Sequence, residues 1–284
     1  MNENALVVNG LTKQYKDFTL GPMDLALPMG CVLGLVGENG AGKSTTIRLI
    51  MNAAGRDSGQ VQVMGVDNLS PEFREMKENI GVVLDETCVP EFITARQLGK
   101  ILAGAYRNWD EAAYNSWINR FQLPPNKKYK EYSRGMTMKL GIAAAMSHGA
   151  KLLLLDEATS GLDPMVREEL LEVFAEFAAQ DDHAVLISSH IVSDLEKICD
   201  YIAFIHKGKL RLCEEKDMLL ERYGLLKCSP QELAAVDPTI IHGKRIGEYG
   251  AEALVDRDRA PRDLLVEKPT LEDIILYLAK EEVR

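Results

Sequence analysis

The chain has 284 residues, with 33 Lys+Arg against 43 Asp+Glu and a formal net charge of −10 with His neutral. A composition of 46% hydrophobic and 27% charged residues is that of a globular chain long enough for one large core and a small appendage. The longest uncharged stretches, such as residues 140–150, fall short of the ~20 apolar residues of a spanning helix, Met1-Asn2-Glu3-Asn4 lacks the basic and apolar regions of a secretory leader, and the acidic balance argues against a general nucleic-acid binder.

Strands and helices alternate over the first 220 or so residues. Residues 6–8 form a short strand, and residues 18–27 alternate apolar and polar up to Pro28-Met29-Gly30. Residues 31–36 are a continuous apolar run, as in a strand buried on both faces, and lead into a glycine-rich turn and a helix over 45–51. Further strands are expected at 61–63, 80–84, 152–155 and 184–188, with a helix over 167–179. This βαβ order predicts a mainly parallel sheet covered by helices. Residues 86–150 interrupt it with helical periods at 94–105, 110–121 and about 135–147, which read as a helical insertion. Trp109 and Trp117 fall there and read as packing residues.

After Gly224 the composition changes, with short strands expected at 225–226 and 239–241. A closing helix follows Pro269, with Thr270 as N-cap, Glu272 and Asp273 in its first turn, and Leu271, Ile274, Ile275 and Leu278 on one face. The expected division is 1–224 and 225–284, the second part being a small α+β appendage that serves as a regulatory module, a dimer contact or a stabilising addition. Cys31, Cys88, Cys199, Cys213 and Cys228 make no Cys-x-x-Cys pair or zinc spacing and read as ordinary thiols of a cytosolic protein.

Gly37-Glu38-Asn39-Gly40-Ala41-Gly42-Lys43-Ser44 matches the phosphate-loop pattern, at the strand-to-helix junction that the pattern requires. Backbone amides from Asn39, Gly40, Ala41, Gly42 and Thr45 can converge on a pyrophosphate at the positive end of the following helix. Lys43 would reach the β- and γ-phosphates, and the Ser44 hydroxyl would bind Mg²⁺. Leu152-Leu153-Leu154-Leu155-Asp156-Glu157 makes a buried strand ending in two carboxylates. Asp156 suits the Mg²⁺ shell, and Glu157 suits a group that polarises an attacking water.

With the following Ala158-Thr159-Ser160-Gly161-Leu162-Asp163-Pro164, these runs closely resemble the ATP-binding subunit of ATP-binding-cassette (ABC) transporters, over about residues 5–220. The resemblance implies an α/β P-loop NTPase core with a mainly parallel sheet, an antiparallel β subdomain and the helical insertion. It implies that Ser160-Gly161-Leu162-Asp163 is a loop at a dimer interface, that His190 senses the γ-phosphate, and that Tyr15 stacks on adenine, with Phe18 nearby as a substitute. Tyr132-Ser133-Arg134-Gly135-Met136 stands where the family's signature belongs, so Ser133 and Gly135 would face a nucleotide across a dimer.

Two departures stand out. Asp85, followed by Glu86, replaces the family's Gln at the metal or attacking water; a carboxylate ligates Mg²⁺ more strongly but is shorter. Arg134 and Met136 replace a Gly and a Gln of the signature, and Arg134 would bring positive charge near the nucleotide. The activity implied is ATP hydrolysis with ATP and Mg²⁺, by two subunits (a homodimer or a pair with a paralogue) that power a membrane-spanning permease. The chain would be cytoplasmic and held at the inner face of the membrane by that permease. The single cassette, Asp85, the Ser133-Arg134-Gly135-Met136 segment and Lys268-Pro269-Thr270-Leu271-Glu272-Asp273 resemble bacterial exporters. The competing reading is a non-transport ABC ATPase acting on ribosomes or nucleic acid, whose members usually join two cassettes in one chain. A nucleotide-binding module without turnover is disfavoured by Glu157 and His190.

Overall fold

Period-two alternation at the start of the chain becomes a long antiparallel pair, β1 (Asn4–Gln14) and β2 (Thr19–Pro28). The turn between them closes with the Tyr15 N–H donating to the Phe18 carbonyl at 2.7 Å. The computed structural model describes residues 3–85, 89–247 and 250–280. Glu86 and Cys88 therefore lie outside the described residues.

The apolar run becomes β3 (Val32–Val36), buried throughout, and is followed by α1 (Lys43–Ile50), β4 (Ser58–Val63), β5 (Val66–Asp67), α2 (Phe73–Met76) and β6 (Ile80–Val83). The insertion supplies α3 (Ala95–Ala105), α4 (Glu111–Arg120) and α5 (Arg134–Ala145). Their starts follow from capping chemistry. The Gln97 N–H donates to Thr94 Oγ1 while the Thr94 N–H donates to Gln97 Oε1, and Asp110 and Ser133 accept from Ala113 and Met136. Trp109 and Trp117 pack on Tyr114 and Phe121, as expected. The core resumes with β7 (Leu152–Asp156), α6 (Pro164–Ala178), β8 (Ala184–Ser189), α7 (Val192–Ile198), β9 (Tyr201–His206) and β10 (Lys209–Glu215).

Strands β2-β1-β4-β5 form an antiparallel sheet, and β10-β9-β3-β8-β7-β6 form a second sheet whose β9-β3-β8-β7-β6 portion is parallel. Leu33, Leu35, Leu152, Leu154 and Leu186 of the parallel strands share one core with Ile47 and Leu49 of α1 and with Leu6, Leu20 and Met23 of the antiparallel pair. Burying such side chains stabilises by about 1.5–3 kcal/mol each. The parallel strands all deliver their carboxyl ends to one edge, where chain-bound ligands of open α/β sheets gather. Gly81 sets the seat of α5: a Cβ there would lie 2.6 Å from the Ala145 carbonyl oxygen.

Compactness divides the chain at Cys213/Glu214 rather than at the expected 224/225, which falls inside a strand. The second unit contains α8 (Lys216–Arg222), β11 (Tyr223–Cys228), α9 (Pro230–Ala235), β12 (Ile241–Ile246), β13 (Ala251–Asp256), β14 (Leu265–Glu267) and α10 (Leu271–Lys280). Its sheet is antiparallel in the order β12-β13-β11-β14, with Leu226, Leu233, Ile240, Ala253 and Val255 at its core. The expected strand at 239–241 starts only at Ile241, because the Asp237 carboxylate takes the Thr239 N–H and tightens Pro238–Ile240 into a helical turn. Thr270 caps α10 as expected, accepting the Asp273 N–H at 3.1 Å.

His148 follows α5 in the first unit, buried and stacked on Tyr106 with ring centroids 4.0 Å apart, its Nδ1 2.9 Å from the Glu78 carbonyl oxygen. Burial pushes the imidazole below its ordinary pKa, against the opposing pull of the Glu78 carbonyl and carboxylate. As pH falls, the unfolded chain takes up this proton before the folded one, so the contribution is intact above about pH 6.5 and is lost progressively below it. Denaturant titrations from about pH 7.5 to about pH 5.5 should therefore show a smaller loss of unfolding free energy for His148→Gln than for the parent. Equal losses would remove His148 from the acid response.

Candidate functional site

β3 ends at Val36, and from Gly37 the chain turns through Gly40 (φ +81°) and Gly42 (φ +118°) into α1. A Cβ at Gly42 would lie 2.5 Å from Leu20 Cδ1 in a backbone conformation that L residues avoid, so this corner accepts only glycine. Gly42 offers no side-chain cap to α1, so its first amides remain available to an anion. Asn39 and Gly40 are exposed at the rim, Ala41 and Gly42 are buried, and Thr45 is half-buried.

Lys43 is 5% exposed. Its Nζ donates to the Gly37 carbonyl at 2.6 Å and the Glu38 carbonyl at 3.2 Å, and pairs with Glu157 Oε1 at 3.1 Å. These oxygens compensate an ammonium that burial alone would not tolerate. Nearby, Ser44 Oγ donates to Asp156 Oδ1 at 3.0 Å. Asp156 is itself buried at the end of β7, level with Ser188 of β8 in the parallel ladder. Ser188 Oγ donates to the same Oδ1 at 2.6 Å and also accepts the Glu157 N–H at 3.1 Å.

Glu157 adopts φ +51°, a left-handed conformation that costs a non-glycine residue about 1–3 kcal/mol and collects at functional sites. The bend throws its carboxylate back over the strand ends. Oε1 faces Lys43, and Oε2 meets His190 Nδ1 at 2.7 Å. A carboxylate oxygen accepts, so Nδ1 of this half-exposed ring carries the hydrogen and Nε2 is left for another partner. The structure thus brings Ser44, Asp156, Glu157 and His190 into one group joined by hydrogen bonds through Ser188, with Lys43 attached by its ion pair to Glu157.

Three expected features stand apart from that group. Tyr15 is 44% exposed beside the loop, its ring 6.4 Å from Phe18. Phe18 lies closer, since a Cβ on Gly42 would sit 3.2 Å from its Cζ. Ser133 and Gly135 stand at the start of α5. Asp85, expected as a metal ligand, has its Oδ1 accepting from Arg134 Nη2 at 2.6 Å, a charge-assisted bond to a guanidinium. Arg134, expected to bring positive charge near a nucleotide, is paired with Asp85 of its own chain.

Sequence reasoning missed Ser188, which anchors both carboxylate residues. The strand register, Asp156 opposite Ser188, identifies it once β7 and β8 are paired. It also missed His206 at the end of β9, whose Nδ1 lies 3.3 Å from Glu38 Oε1 of the loop. Burial holds this imidazole below its ordinary pKa, with Glu38 pulling the other way.

Residues 20–160 match the family described as ABC transporter. The chain is 32% identical over 204 residues to the ABC transporter ATP-binding protein YtrB of Bacillus subtilis (strain 168), covering 72% of this chain and 69% of that protein. It is 32% identical over 215 residues to the lantibiotic transport ATP-binding protein SrtF of Streptococcus pyogenes, covering 75% of this chain and 91% of that one. Its fold is similar to a solved ATP binding subunit of an ABC transporter, with a TM-score of 0.69 and 26% identity over 76% of this chain and 91% of the other.

Removing the Ser188 hydroxyl should cost about 0.5–1.5 kcal/mol, because Asp156 Oδ1 and the Glu157 N–H each lose one bond while keeping Ser44 and the Ser188 carbonyl as partners. In Ser188→Ala, denaturant melts should show this loss, and ATP turnover should fall with it. Parental stability together with parental turnover would show that the anchor is dispensable.

Proposed function

The chain belongs to the ABC transporter family, as an ATP-binding subunit that hydrolyses ATP to drive transport, and on that premise we propose how its residues divide the work. The phosphate loop takes the triphosphate: amides of Asn39, Gly40, Ala41, Gly42 and Thr45 surround it, and Lys43 transfers its charge to the β- and γ-phosphates. Ser44 Oγ and Asp156 Oδ1, hard oxygen donors 3.0 Å apart, fit a Mg²⁺ ion, which takes one or two protein oxygens together with substrate phosphates. When bound, that ion supplies neutralisation of phosphate charge. The exposed Tyr15 ring receives the adenine face, with Phe18 behind it.

The observation that carries the reading is the placement of Glu157 between Lys43 and His190. A phosphate competes with Oε1 for the Lys43 ammonium, and the exchange frees Oε1 to accept a proton from water. That water attacks the γ-phosphorus as the bond to the bridging oxygen breaks, releasing ADP and phosphate. His190, held by Oε2, presents Nε2 to the γ-phosphate. Ser133 and Gly135, at the positive end of α5, close over the nucleotide of a second ATP-binding subunit, a like chain or a paralogue.

The permease is proposed to dock beside β6, where Val83, Leu84, Leu98, Leu102 and Ala145 line an apolar groove of about 280 Å³ and Phe92 is exposed. None of the helices is long and apolar enough to cross a membrane, among the described residues, so the spanning part is assigned to that partner, at the inner face of the membrane. Export is the proposed direction. The Ser133-Arg134-Gly135-Met136 segment and Asp85 resemble bacterial exporters, and one relative is named for lantibiotic transport.

Glu157→Gln keeps the shape and loses the proton acceptor. Turnover should drop by at least about 100-fold, the range of a lost general base, while ATP binding persists. Turnover at the parental rate would remove Glu157 from the chemistry.

A further inference from the structure

Arg134 occupies the first position of α5, yet its side chain leaves the helix and bridges two other segments. Nη2 donates to Asp85 Oδ1 at 2.6 Å, and Nε donates to the Ser160 carbonyl at 2.9 Å. Asp85 is the second residue after β6, on the segment that leads into the helical insertion. Ser160 closes the turn that begins at Glu157, its N–H donating to the Glu157 carbonyl at 3.0 Å. Gly161 accommodates the guanidinium: a Cβ there would lie 3.2 Å from Arg134 Nε. Hydrogen bonds therefore join Asp85 to Arg134 and Arg134 to the Ser160 carbonyl, and the Ser160 N–H in turn bonds the backbone of Glu157.

Stability does not account for this arrangement. The side chains of Arg134 and Asp85 are 51% and 45% exposed, and pairs at that exposure contribute about 0–1 kcal/mol. Geometry does account for it. A guanidinium is a flat fork that can hold a carboxylate on one branch and a carbonyl on another, which an ammonium on a flexible stem cannot do with fixed angles.

We infer that Arg134 is a positioning residue for hydrolysis: paired with Asp85, it ties the segment after β6 to the turn that carries Glu157, so that the state of the helical insertion sets the attitude of the Glu157 carboxylate. The inference rests on the reading of Glu157 as the group that accepts the proton of water. It assigns Arg134 an action within its own subunit, distinct from direct contact with a nucleotide held by another.

The test is steady-state ATP turnover of the full chain with Mg²⁺ and ATP, for Asp85→Asn, Arg134→Gln, the double variant, Arg134→Lys and Glu157→Gln. Asp85→Asn and Arg134→Gln should each lower kcat by roughly three- to tenfold with KM for ATP within about twofold, the size expected for a broken coupling between segments. The double variant should be no slower than the slower single variant, because both remove one connection. Arg134→Lys should stay slow, since it keeps the charge and loses the fork. Melting temperatures should match the parent. Additive losses, a parental kcat in either single variant, or full recovery with Lys would overturn the inference while leaving the Glu157 assignment standing. Parental turnover in Glu157→Gln would overturn that assignment and this inference with it.

Discussion

A lysine ammonium that is almost wholly buried at a sheet edge must be surrounded by oxygen, and most of the site is arranged to meet that demand. Lys43 is placed at the first position of α1 by the turn through Gly40 and Gly42, and its charge is answered by Gly37, Glu38 and Glu157. The Glu157 carboxylate reaches it only because residue 157 bends into a left-handed conformation, and that bend is held by two bonds to Ser188. Ser188 in turn lies level with Asp156 because β7 and β8 run parallel in that register. Strand pairing, backbone strain and ion pairing thus converge on a small group of polar atoms. Free energy stored in the Glu157 backbone is offset by the packing of β7 and β8, which are buried along their whole length.

The same arrangement makes the edge responsive. In the proposed function, a phosphate displaces one carboxylate oxygen from Lys43, so that binding and activation of Glu157 are a single exchange. The loop has a further titratable neighbour in His206, and the turn after Glu157 is tied through Ser160 to Arg134 and Asp85. The residues proposed for the chemistry all lie in the first unit. The second unit is a separate antiparallel sheet with its own core beneath Leu226 and Ala253.

Much of the core was legible in sequence because its signals are contiguous. Residues 37–44 carry their glycines, lysine and serine in one run, and residues 152–157 carry a buried strand and its carboxylates in another. The start of the last helix at Thr270 was legible for the same reason, since caps act over three residues, and helical period marked the helices at 94–105 and 110–121. Features that need two distant segments were not. Ser188 is one serine among several until β8 is laid against β7. The bond between Asp85 and Arg134 was not legible because the two lie 49 residues apart. In the second unit, β13 and β14 are short and their pairing with β11 is what makes them strands. The boundary at 213/214 depends on α8 and β11 folding together, which no local composition marks.

The central claim is that the buried Lys43 ammonium is the seat of the triphosphate. Equilibrium titration of ATP into Lys43→Ala, with circular dichroism to verify the fold, tests it most directly. Loss of at least about tenfold in affinity, equivalent to about 1.4 kcal/mol, is the result the account predicts. Parental affinity in a folded Lys43→Ala protein would contradict it.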